Sequence, residues 1–191
     1  RGSLCLLLLL LGGAKLACVQ AKDGWTALHW ALGGRLEEES RKMVEVGGKT
    51  LLLLRTEEGE TGLHKAAWCG YEELCFRMLE VCGKELAERQ TRMGKTSLHY
   101  AVEGGMEKLA LLILELVDGQ SLLRQDENGC TSLHLAAAQG MEEVASNMVR
   151  KGSRELLWTQ TKTGRSCLHW AAERGMGKLC TQMISLGGKR L

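Results

Sequence analysis

At 191 residues, with 45% apolar and 25% charged residues, the chain can fill one ordinary domain or a short repeat array. A formal net charge of +2 at pH 7 is too balanced to hold a polyanion by bulk charge, which argues against a nucleic-acid partner. No apolar stretch reaches the ~18 residues that a membrane-spanning helix needs, so a membrane role is not expected either.

The chain opens "RGSLCLLLLLLGGAK", one basic residue followed by leucines and small residues, the outward form of a secretory leader. A leader would make the eight cysteines disulfide candidates. The phase of the run argues otherwise. Leu8–Leu9 stand 35 residues before Met43–Val44, and the series continues as Met78–Leu79, Ile113–Leu114, Met148–Val149 and Met183–Ile184. Gly12–Gly13 likewise lead to Gly47–Gly48. Residues 1–23 are therefore expected to be the second half of a truncated repeat, and the chain an excerpt of a longer protein. Only Leu6, Leu7 and Leu10, which stand where the next repeat has Arg41, Lys42 and Glu45, favour a leader.

Repeats follow at 24–58, 59–93, 94–128 and 129–163, with a truncated C-terminal one at 164–191. Their markers are His29, His64, His99, His134 and His169, each interval being 35 residues. The frames read "GWTALHWAL", "GETGLHKAAWCG", "GKTSLHYAVEGG", "GCTSLHLAAAQG" and "GRSCLHWAAERG", each opened by a turn glycine. A fixed period of this length is the mark of a repeat array. Within a period, a segment such as "HLAAAQG" predicts a short first helix with a small face and a glycine cap. "MEEVASNMVRKG" predicts a second helix, with Val144–Ala145 and Met148–Val149 on one stripe. The remainder, such as "RELLWTQTKTG", reads as extended and ending in a turn, a hairpin-like finger. The repeat at Gly24 is irregular: Arg35 replaces the capping glycine, and Glu39–Ser40 stand where a neighbour has Leu74–Cys75.

The recurring Thr-x-Leu-His core (Thr26, Thr61, Thr96, Thr131, with Ser166 in the last frame) resembles the ankyrin repeat family along essentially the whole chain. The resemblance implies an all-α, ankyrin-type helical solenoid with short β-hairpin fingers, about five and a half repeats of 35 residues. It also implies that His29, His64, His99, His134 and His169, with their Thr or Ser partners, are structural, fixing turn to helix and to the adjacent repeat. Two departures from the family pattern stand out. Ala27, Gly62, Ser97, Ser132 and Cys167 occupy the usual proline position. The period is two residues longer than the family's, and those residues are expected to lengthen each finger by roughly 3 Å.

No catalytic constellation, metal set or cofactor motif is expected. Histidines one repeat apart cannot converge on one ion. "GGKT" at Gly47–Thr50 lacks the upstream glycine and preceding strand of a phosphate loop. The cysteines at 5, 18, 69, 75, 82, 130, 167 and 180 contain no C-x-x-C pair, and Cys5, Cys75 and Cys180 share a core phase. Reduced thiols and a cytoplasmic setting follow, with a nuclear one compatible and a secreted one disfavoured. By resemblance, the concave side of first helices and finger tips binds a protein partner, not a small-molecule substrate. The residues expected there are Trp25, Glu58, Glu60, Trp68, Arg92, Lys95, Glu127 and Arg165, with tip charge alternating in sign from unit to unit. The function expected is thus a non-catalytic protein-interaction module. The alternative is the targeting array of a larger enzyme, a kinase or ubiquitin ligase, whose catalytic domain lies outside the chain.

Overall fold

A computed structural model describes residues 13–188. The leucine run over 4–11, with Cys5 and the Leu8–Leu9 pair, lies outside the described residues. Contacts divide the chain into two units, Arg1–Arg92 and Met93–Leu191.

The first unit contains α1 (Ala27–Gly33), α2 (Glu37–Leu52), α3 (Gly62–Cys69), α4 (Glu72–Cys82) and the short α5 (Lys84–Ala87). First helices pack on first helices, α1 on α3, and second on second, α2 on α4; α1–α2 and α3–α4 close each repeat. The leucine of each Leu-His pair, Leu28 and Leu63, is fully buried, as are Ala66 and Ala67, whose small side chains let neighbouring helices approach. On the second helices the stripe of Met43, Val44, Met78 and Leu79 is buried as its spacing predicts. Each such side chain contributes roughly 1.5–3 kcal/mol on leaving water.

The second unit repeats the plan with α6 (Ser97–Glu103), α7 (Glu107–Leu116), a 3-10 turn (Ser121–Leu123), α8 (Ser132–Gln139), α9 (Glu142–Lys151), α10 (Arg154–Trp158), α11 (Cys167–Glu173) and α12 (Gly177–Gly187). Here α8 packs on α6 and α11, and α9 on α7 and α12. The buried set is again in phase: Leu98, Leu133, Ile113, Met148 and Met183. Cys75 is fully buried as its phase predicts, whereas Cys180 is half-buried. No helix of the described residues is long and apolar enough to cross a membrane.

The all-α class holds, but the β-hairpin fingers do not form. Among the described residues there is no strand, only isolated bridges such as Gln20 to Thr26 and Gln160 to Ser166. The stretch after each second helix, expected to be extended, coils instead into a helical turn: α5, the 3-10 turn, α10, and in the first repeat the end of α2 beyond Gly48, whose φ of 51° and ψ of −151° break the helix. The reason is burial. Leu51, Leu86, Leu122 and Leu156 on these turns are each 1% exposed or less. With these stretches coiled into helical turns, no lengthened finger forms among the described residues. The arms that remain are too short to build a ladder.

Candidate functional site

Each repeat presents a tight four-residue turn. At the turn that leads into the repeat at Gly59, the Thr56 N–H donates to the Glu60 carbonyl and the Gly59 N–H to the Thr56 carbonyl, both at 2.9 Å. Successive tips are tied by one backbone bond each: Glu57 N–H to the Asp23 carbonyl and Arg92 N–H to the Glu58 carbonyl, both at 2.8 Å, in the first unit. In the second, the Glu127 N–H donates to the Met93 carbonyl at 2.8 Å and the Lys162 N–H to the Asn128 carbonyl at 2.9 Å. The turn glycines make this approach possible. A Cβ on Gly24, whose φ is 78°, would lie 2.8 Å from the Arg55 carbonyl oxygen and 2.9 Å from the Thr56 Cα.

The Thr-x-x-His pairs hold the turns to the helices. At all five N-caps the threonine or serine oxygen meets the backbone three residues on, while the histidine Nδ1 accepts the N-cap N–H at 3.1–3.2 Å. Accepting at Nδ1 fixes the proton on Nε2. That N–H donates onward to a distant carbonyl, Arg89 for His64 at 3.1 Å, Cys130 for His99 at 3.3 Å and Thr159 for His134 at 3.1 Å. His29 Nε2 is buried without a partner at bonding geometry, although the Glu60 carbonyl faces it. His169 alone among the five is exposed. Burial lowers the pKa of His29 and of His99 to about 4, and that of His134 also falls. Burial likewise pushes the Cys167 thiol up to about 11 and the Cys75 thiol higher still, so neither supplies a thiolate. No group of three or more His, Cys, Asp or Glu able to hold a metal exists among the described residues.

The residues predicted for partner binding fall into two kinds. Glu58, Arg92 and Glu127 project from the tips and are exposed, and Trp68 on α3 is 66% exposed. Glu60 is half-buried, its N–H held by the Thr56 hydroxyl at 3.2 Å. Lys95 and Arg165 are engaged close to home. Lys95 Nζ meets both carboxylate oxygens of Glu103, at 2.7 and 2.8 Å, and lies 5.3 Å from the Tyr100 ring centre. Arg165 pairs with Glu173 and sits 4.1 Å from the Trp170 ring centre. Trp25 is half-buried against Trp30, ring centres 4.7 Å apart, with Lys65 Nζ 5.0 Å from its ring centre. The first unit thus carries Trp25, Glu58, Glu60, Trp68 and Arg92; the second carries Lys95, Glu127 and Arg165.

Trp30, 61% exposed, is the residue that sequence reasoning missed. The signal was present at twice the repeat length. The residue after each histidine runs Trp30, Lys65, Tyr100, Leu135, Trp170, so an aromatic recurs in alternate repeats. The tip residue two before each turn glycine runs Lys22, Glu57, Arg92, Glu127, Lys162, alternating with the same rhythm.

Elsewhere, an apolar hollow of about 340 Å³ is lined by Leu157, Trp158, Leu168, Met183 and Ile184, with His169 the one titratable group among the described residues that line it. No family model and no curated protein matches the chain.

Proposed function

We propose that the chain is a non-catalytic, ankyrin-type module that binds a protein partner on the side carrying its turn tips and first helices. The observation that carries this reading is the pair of indoles exposed on first helices of the first unit, Trp30 at 61% and Trp68 at 66%, in a unit whose tips alternate basic, acidic and basic at Lys22, Glu57 and Arg92. Large exposed aromatics and arginine are the composition of interface hot spots, and mixed charge selects a patterned protein surface. A uniform phosphate backbone would be repelled by every second tip. The unpaired cysteines suit a reducing compartment, the cytoplasm or nucleus.

The test compares three variants for capture of a partner from lysate, with helicity checked by circular dichroism. Trp68→Ala and Arg92→Glu should each weaken capture at least tenfold and leave the fold intact. Arg77→Glu, on the exposed side of α4 beside Glu45, should be tolerated. Loss with Arg77→Glu alone would move the interface to the second helices and defeat the proposal.

A further inference from the structure

Two repeats of the second unit share a three-part arrangement. A cation leads, Lys95 or Arg165; it lies over the aromatic ring five residues on, Tyr100 or Trp170; and it is neutralised by the glutamate eight residues on, Glu103 or Glu173. The repeat at Gly24 has the same frame with different occupants. Trp25 replaces the cation, Trp30 keeps the aromatic, and Gly33 stands where the glutamate would be. The cation is supplied instead by Lys65 of the next repeat, over the Trp25 ring. Among the described residues no carboxylate lies within ion-pair distance of Lys65, whereas Arg41, Lys49, Arg77, Lys84 and Arg89 of the same unit each pair with a glutamate. The nearby acid Asp23 is occupied in its own turn, where its Oδ1 accepts the Trp25 N–H at 3.0 Å. The missing carboxylate has a definite place: a Cβ built on Gly33 falls 3.6 Å from Lys65 Cε, in ordinary contact and without a clash.

We propose that Trp25, Trp30, Lys65 and the open position at Gly33 form a subsite for a glutamate side chain of a protein partner, completing from outside the arrangement that Glu103 and Glu173 complete from within. This rests on the protein-binding reading above and gives one of its contacts a chemistry. A cation held against an aromatic face is partly desolvated, so an incoming carboxylate gains more there than at a free surface lysine. The indole of Trp30 covers the aliphatic stem of the incoming side chain. A glutamate is the fitting acid because it is the one used at both internal copies.

The test uses the full chain, ¹⁵N-labelled, titrated with acetyl-hexaglutamate amide while the indole N–H signals are followed. Acetyl-hexaglutamine with a free C-terminus and with an amide C-terminus serve as controls. The signals of Trp25 and Trp30 should shift with the glutamate peptide and not with either control. Gly33→Glu should supply the carboxylate internally and weaken the peptide at least tenfold, with thermal stability equal to or above that of the parent. Lys65→Gln should weaken it by a similar factor. No shift at Trp25 and Trp30, undiminished binding to Gly33→Glu, or equal response to the free-carboxyl glutamine peptide would each overturn the glutamate subsite. The broader reading fails by a different result, capture of the partner unaffected by Trp68→Ala and Arg92→Glu.

Discussion

His29 and His99 are each 1% exposed, and each accepts an N–H at Nδ1, a bond that a proton on that nitrogen would abolish. Their pKa values of about 4 therefore couple folding to pH. A histidine in the unfolded chain titrates near 6.5, so the stabilisation is complete above that pH. As pH falls below 6.5 the unfolded chain takes up protons that the folded chain refuses, and stability declines until about pH 4. A shift of this size corresponds to about 3 kcal/mol for each fully buried histidine. Urea midpoints measured between pH 7 and 4.5 should fall steadily. A flat profile between pH 7 and 5 would contradict the burial of these rings. This coupling was legible in outline, since the Thr-x-x-His spacing places the ring over its own N-cap. The pairing of Lys95 with Glu103 was not: the two are eight residues apart across a helix, a separation that no local periodicity marks.

The short helices matter more than their length suggests. α5 has four residues and buries Leu86 completely and Ala87 almost so. Glu85 on its first turn pairs with Lys49 at 2.8 Å, linking it to the end of α2. Leu86→Ala should cost about 2–5 kcal/mol through the cavity it leaves. If the segment were a solvent-facing finger, the change would cost under about 0.5 kcal/mol, so chemical denaturation of this variant separates the two pictures. The sequence concealed these turns for a physical reason. "KELA" and "RELLW" are too short to show a helical stripe, and one inward leucine reads the same in a strand as in a helix. The first and second helices were legible because their stripes span two turns or more and recur at every 35 residues.

Across the molecule, stability should be uneven, with the repeat at Gly24 the weakest. Arg35 has a φ of 58°, the only positive value of a non-glycine residue among those described; Gly70, Gly105, Gly140 and Gly175 hold the same place in the other repeats. Glu39 is half-buried where Leu74, Leu109, Val144 and Leu179 are buried. Ser40, by contrast, fits: it is fully buried with its hydroxyl donating to the Leu36 carbonyl at 2.7 Å, and its counterparts are the similarly small Cys75, Ala110 and Ala145. Amide exchange should be faster over 32–46 than over 137–151. Arg35→Gly with Glu39→Leu should narrow the difference by stabilising the first repeat about 1–3 kcal/mol. Equal protection in the two segments of the parent would refute the uneven picture.

The central claim is that the turn tips and first helices are the surface a protein partner reads. Its most direct measurement is amide exchange with and without the protein that the parent chain captures and Trp68→Ala does not. New protection is expected at the tips around Gly24 and Gly59 and along α1 and α3, with the exposed sides of α2 and α4 unchanged. Protection confined to α2 and α4, with the tips exchanging as in the free chain, would contradict it.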